Sequence, residues 1–225
     1  MDSFMHTQSA PVFSIPQSFI QHPPHRSAFS VFKRSLDIIG GAIGLLILAL
    51  VVIPIALSIK LDSKGPVFYT QKRRGLQGRP FYICKFRSMQ ENADLLKAQV
   101  ENEAKGFIFK NKQDPRITRI GQFIRRTSLD ELPQFWNVLR GEMSLVGTRP
   151  PTEDEVIHYQ DHHWQRLNVK PGMTGEWQVS GRSSINDFEQ IVALDLQYQA
   201  KWTPLYDLKI IGQTLRGVLG RSEAY

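Results

Sequence analysis

Asp130 and Glu131 are adjacent carboxylates at the head of an apolar-periodic stretch (Leu132, Phe135, Trp136, Leu139), with Arg125 and Arg126 just before them. Two readings suit such a pair. Ser128-Leu-Asp-Glu131 fits a capping box, and acidic residues in a first helical turn are favoured by the helix dipole; with Asp130 as the N-cap instead, Pro133 falls acceptably within the first turn. In the other reading one carboxylate attacks a phosphorus atom while its neighbour holds a divalent metal that neutralises phosphate oxygens. Hard oxygen ligands select magnesium, with manganese as the alternative. Cap and catalyst are compatible, because a helix N-terminus that suits a cap also suits a bound phosphate. Arg149, in the run SLVGTRP, adds a planar guanidinium able to grip phosphate oxygens bidentately.

Two other groups of reactive residues count for less. His158 and His162 share a helix face at i,i+4 with His163 beside them, but the intervening Tyr-Gln-Asp lacks the Glu of the zinc-protease pattern, so they read as solvated helix residues. Cys84 is the only cysteine, which excludes an intrachain disulfide and a thiolate zinc cluster. It reads as a small buried hydrophobe.

The elements that must position these residues begin with one long apolar run. Ile38 to Ile59 carries no charge and meets the length of roughly 20 residues needed to reach through a bilayer core. Arg26, Lys33 and Arg34 precede it, and Lys60, Lys64, Lys72, Arg73 and Arg74 follow it, so the positive-inside rule draws both flanks to the cytoplasm. Pro54 lies inside the run and favours a kink. A bent, re-entrant helix that leaves by the leaflet it entered reconciles the flanks. Gly75 and Gly78 punctuate a small hairpin between β-prone runs in Gln71 to Met89, residues 89–105 read as a solvated amphipathic helix, and Leu205, Leu208, Ile211, Leu215 and Leu219 repeat as in a helix lying on an anionic surface or packed on the core.

The expected fold is α+β and mostly helical: one N-terminal re-entrant, kinked membrane helix plus a small cytoplasmic globular domain with interfacial amphipathic helices and a short β-hairpin. Residues 1–32, rich in Ser, Gln, His and Pro, read as a flexible tail without the pattern of a signal peptide. Residues 33–62 form the membrane helix segment and 63–225 the cytoplasmic catalytic domain. A net charge of +7 in 225 residues calls for an anionic partner; because the basic residues cluster beside the apolar run, lipid headgroups fit better than nucleic acid.

From Lys33 to Tyr225 the chain resembles the bacterial sugar transferases, monotopic phosphoglycosyl transferases that act on polyprenyl phosphate. The resemblance is carried, in order, by KRSLDIIG (33–40), KLDSKGPVF (60–68), KFRSM (85–89), DPRITRIG (114–121), TSLDELPQFWNVLRGEMSLVG (127–147), VKPGMTG (169–175) and WQVSGR (177–182). It implies that Asp130 attacks the sugar-linked phosphate of a UDP-sugar with loss of UMP, and that polyprenyl (undecaprenyl) phosphate then takes the phosphosugar from the enzyme. It further implies that Glu131, with Asp130, binds magnesium, and that Arg149 sits in a phosphate-binding turn. Arg126, Arg87, Arg182 and Lys85, in or beside these motifs, are the further candidates for phosphate. Ile53 stands where the family commonly has Ser before the helix proline, and Thr148 where its phosphate turn commonly has Pro. Many larger relatives carry additional N-terminal membrane helices, so this chain looks like the minimal catalytic unit with a short tail. The expected partners are a UDP-sugar, a hexose donor by resemblance to the exopolysaccharide enzymes, polyprenyl phosphate and membrane lipids, with no nucleic acid; a homo-oligomer is compatible with the sequence. The expected place is the bacterial inner membrane, with the catalytic domain on its cytoplasmic face. The competing reading is a catalytically silent, membrane-anchored scaffold that holds anionic lipid through its basic face.

Overall fold

The computed structural model describes residues 15–181 and 184–220. Its longest element is a helix α2, Val31–Asp62, preceded by a short helix α1, Gln17–Gln21. Ser30 caps α2 by accepting the Lys33 N–H. The helix ends where Gly65 adopts φ +114° ahead of Pro66. At this exit the Arg87 guanidinium donates to the carbonyls of Ser63 and Lys64, so a side chain far along the sequence satisfies acceptors at the helix end. α2 runs as one helix through Pro54, and Ser58 Oγ donates back to the Pro54 carbonyl at 2.8 Å, a contact that tends to bend a helix.

α2 has two faces. Ile39, Ile43, Leu46, Leu50, Ile53, Leu57 and Leu61 are exposed, and the most apolar stretch has a mean hydropathy of 2.9 with 17% of it buried. A core helix of a soluble protein would be mostly covered, so this one is apolar without being core. The inner face packs on the domain in both halves. Glycines 40, 41 and 44 lie against Leu145, Leu139 and Phe135, while Ile55 and Ile59 join Phe86 and Ile124 in a buried cluster.

The expected hairpin is present. Strand β1, Phe68–Arg74, pairs antiparallel with β2, Pro80–Phe86, from Phe68↔Phe86 to Arg74↔Pro80. Period-2 alternation buries Phe81 and Ile83 on Val138 and Met143. Asn137 extends the pairing from the side, accepting the Cys84 N–H and donating to the Tyr82 carbonyl.

Beyond the hairpin come α3 (Arg119–Arg126), α4 (Phe135–Arg140), β3 (Ser144–Val146), α5 (Glu153–Val156), α6 (Asp161–Trp164), β4 (Gly172–Thr174), α7 (Glu176–Val179), α8 (Phe188–Lys201) and α9 (Pro204–Leu219). β3 and β4 form a two-stranded parallel sheet, Ser144↔Gly172 and Val146↔Thr174. Its residue Val146 packs with Val169, Tyr198, Trp202 and Ile210 in the core between sheet, α8 and α9.

Two expectations are revised. Residues 89–105 form turns and one 3-10 segment, Lys97–Gln99, not a helix. Ala93 is buried there while Leu95 is 78% exposed, so helix propensity lacks the packed face that stabilises short helices in water. Residues 15–30, read as part of the tail, fold onto the domain: Phe19 packs with Val156, Trp164 and Leu167, and the His25 N–H donates to the Asn168 carbonyl. The remaining tail, 1–14, lies outside the described residues. α9 forms as expected and leaves Leu205, Leu208, Leu215 and Val218 exposed while Ile210 is buried.

Candidate active site

The acidic pair sits on a 3-10 segment, Leu129–Gln134, that feeds directly into α4. Ser128 is left-handed at φ 56° and its side chain makes no cap bond; its carbonyl accepts the Glu131 N–H instead. The capping box is thus absent, and a backbone bond closes the turn. Asp130 is buried, at 7% exposure. Glu131 is partly open and accepts from Lys85 Nζ of β2 at 3.0 Å, so the structure joins two of the expected site residues.

β3 runs into Gly147-Thr148-Arg149-Pro150. A Cβ at Gly147 would collide with the Lys170 carbonyl, so the close approach of β3 to the 170–172 segment demands glycine. Thr148 is buried and its hydroxyl donates to the Arg166 carbonyl at 3.0 Å, which ties the turn down by a bond that a proline would not make. Arg149 forms a bidentate pair with Glu155 of α5, at 2.8 and 2.9 Å. Its side chain remains 23% exposed while that of Glu155 is 5%. Burial would push Glu155 up, but Arg149, with Arg73 and Arg166 behind it, holds its carboxyl below the ordinary value.

Arg73 of β1 is the residue that motif reading missed. Its guanidinium donates to the Pro150 carbonyl at 2.8 Å and to Gln71 Oε1 at 2.7 Å, while its buried Nε has no hydrogen-bond partner. Burial first, and then neighbouring Arg149, press its pKa down to about 10; Glu155 and Glu131 pull the other way. Arg73 therefore feels both the Arg149 turn and Glu131 of the acidic pair. The signal available in the sequence was strand alternation, which puts Gln71 and Arg73 on one face. Arg166 completes the cluster, bonding Asp195 at 2.5 and 2.9 Å and the Tyr159 hydroxyl at 2.8 Å. Arg73, Arg149 and Arg166 thus lie among Glu155, Asp195 and Glu131, three guanidiniums matched by three carboxylates.

The remaining candidates are placed as follows. Arg87 spends its terminal donors on the end of α2, Arg126 is exposed in the last turn of α3, and Arg182 lies outside the described residues. Among the histidines, His158 stacks on Phe107 at 5.3 Å, while ligand atoms of His162, His163 and Glu189 lie within 4.8 Å of one another. His163 is nearly fully buried, not solvated as the sequence suggested. Its Nδ1 accepts the Gln160 N–H at 2.9 Å, so in the neutral ring the proton resides on Nε2, which donates to Glu189 at 2.8 Å. That commitment withholds the Nε2 lone pair from a cation and makes the cluster a structural clamp.

The candidate site therefore combines an acidic pair, Lys85 and clustered arginines on a domain fastened to a long apolar helix. Residues 28–221 match the family described as bacterial sugar transferase, and the chain belongs to it. It is 52% identical over 191 residues to the galactosyl transferase CpsE of Streptococcus agalactiae serotype III, covering 84% of this chain and 42% of that protein. It is 42% identical over 212 residues to the undecaprenyl-phosphate galactose phosphotransferase of Salmonella typhimurium, covering 92% and 44%. To the exopolysaccharide production protein ExoY of Rhizobium meliloti it is 38% identical over 192 residues, covering 83% and 84%. The chain therefore spans about two fifths of the length of the first two relatives.

Proposed function

We propose that the protein transfers a sugar-1-phosphate, a hexose-1-phosphate, from a UDP-sugar to polyprenyl (undecaprenyl) phosphate and so initiates assembly of an exopolysaccharide or related glycan. The observation that carries this reading is the placement of Glu131, next in the chain to Asp130, beside Lys85 and Arg73, with Arg73 bonded into the Arg149 turn. In the first step an Asp130 carboxylate oxygen bonds to the sugar-linked phosphorus, the bond from that phosphorus to the bridging oxygen breaks, and UMP departs with the electron pair. In the second, an oxygen of polyprenyl phosphate attacks the same phosphorus and displaces Asp130, giving polyprenyl diphosphate-sugar. A covalent intermediate lets a water-soluble donor and a lipid acceptor use one site in turn. Arg149 and Arg73 steady the diphosphate, and Lys85 holds Glu131 in place.

Asp130 and Glu131 supply oxygen donors of the kind magnesium takes from protein, the rest of its shell being left to phosphate and water. They are the residues that would hold it, and the ion would neutralise charge on the phosphate oxygens. The inner membrane, with the domain on the cytoplasmic face, is the proposed setting. Support comes from the basic flanks of the apolar helix and from the packing of both its halves on one domain, which favours a helix that enters and leaves by the same face.

The test is UMP release from a panel of UDP-sugars by the purified chain with magnesium and undecaprenyl phosphate, wild type against Asp130→Asn. Release by the wild type alone supports Asp130 as nucleophile, and the best donor identifies the sugar. No release with any donor by membrane-inserted protein returns the chain to the scaffold reading.

A further inference from the structure

All three residues of β3 are hydrogen-bonded to α2, Ser144 and Leu145 as donors and Val146 as acceptor, and β3 leads straight into the turn that carries Arg149. Asp37 Oδ1 accepts from the Ser144 hydroxyl and from the Leu145 N–H, each at 2.8 Å. Lys33 Nζ donates to the Val146 carbonyl at 2.8 Å, and also to Asp207 at 2.7 Å and the Tyr198 hydroxyl at 3.2 Å. Lys33 and Asp37 are both buried, one helical turn apart on one face.

Anchoring alone does not call for charges here. Apolar residues of similar volume would fasten a helix without the desolvation cost of several kcal/mol per buried ion. The best-attested use of buried ionic groups is to fix registry: a shift of α2 by one turn, or a rotation about its axis, would break all three bonds to β3 together. On its other side β3 is held by β4, and just past the strand the Gly147 N–H donates to the Thr174 carbonyl and the Gly172 N–H to the Thr148 carbonyl, both at 2.9 Å. The strand is gripped between α2 and the core, with Arg149 three residues beyond Val146.

We propose that Lys33 and Asp37 are positioning residues that set the Arg149 turn from within the apolar helix, so that correct seating of α2 is a condition for binding the diphosphate of the sugar donor. This rests on the function proposed above. Neither residue touches substrate.

The experiment uses the full chain in lipid nanodiscs, with UDP-glucose or UDP-galactose as donor and undecaprenyl phosphate as acceptor. Because a misplacement of about 1 Å in a binding group costs up to about 100-fold, Asp37→Ala is expected to raise the donor KM about 10-fold. The acceptor KM should stay within about twofold, since the displaced element holds the donor's diphosphate. Asp37→Asn keeps an acceptor oxygen and restores the donor KM to within about threefold of wild type. In an Arg149→Ala background Asp37→Ala adds nothing further, because both changes act through one turn. Additive effects, or an unchanged donor KM in Asp37→Ala, overturn the proposal. If Asp37→Ala does not fold, Ser144→Ala deletes one of the two donors to Asp37 and carries the same test, with an expected rise of about threefold. If the wild type releases no UMP, the proposed function falls, and the coupling is read from hydrogen exchange instead. Faster exchange of residues 145–149 in the Asp37 or Ser144 variant supports it, and unchanged exchange refutes it.

Discussion

Arg149 occupies both oxygens of Glu155, and a lysine in its place keeps the charge but loses the fork. Arg149→Lys is therefore expected to lower kcat/KM for the sugar donor by about 10- to 100-fold, roughly 1.4–3 kcal/mol, measured by UMP release. Glu155 is held below its ordinary pKa by Arg149 despite burial. A depressed carboxylate contributes stability that is present above its unfolded value, near 4.5, and lost as pH falls through the lower folded value. The thermal midpoint of the wild type should thus decline on acidification below about pH 4.5 more steeply than that of Glu155→Gln; parallel curves would remove Glu155 from the account. Asp130, Glu131 and Arg149 were legible in the sequence because they sit in contiguous, turn-rich motifs. Arg73 and Glu155 were not: Arg73 gains its meaning from a bond to Pro150, 77 residues away, and Glu155 reads locally as an ordinary acidic residue in a helix's first turn.

At the scale of elements, α2 was legible from composition alone, since an uncharged apolar run of that length has few other outcomes. The hairpin was legible from its glycines. The misread 89–105 segment shows the limit of propensity, which ranks residues but supplies no partner to pack against. The folding of residues 15–30 was hidden for the opposite reason: a polar composition concealed anchors such as Phe19 and His25, whose partners Trp164, Leu167 and Asn168 lie far along the chain. Close packing of α2 on α4 depends on absent side chains. A Cβ on Gly44 would strike the ring of Phe135 and one on Gly41 would lie 2.8 Å from Leu139. Gly44→Ala is expected to destabilise the protein by about 1–3 kcal/mol through overpacking. Gly212→Ala in α9 has open space around it and should stabilise by about 0.5–1 kcal/mol through helix propensity. Thermal unfolding in detergent compares the two, and a neutral Gly44→Ala would mean that α2 and α4 yield easily.

At the scale of the whole molecule, a helix that enters and leaves by one face places its two flanks in the same compartment. In a Cys84→Ser background, Ala28→Cys and Lys64→Cys are expected to react alike with a membrane-impermeant maleimide, both in inside-out vesicles and neither in intact spheroplasts. Opposite labelling would establish a straight span and separate the flanks. The bond between Lys33 and Asp207 has a consequence in time as well as in space. Its partners are 174 residues apart, and at ribosomal rates of about 5–20 residues per second Asp207 is made roughly 9–35 s after Lys33. Throughout that interval the lysine lacks its carboxylate partner and stays a hydrated cation, so that, in the membrane setting proposed above, it would resist entry of the start of the helix into the bilayer core until the domain arrives to bury it.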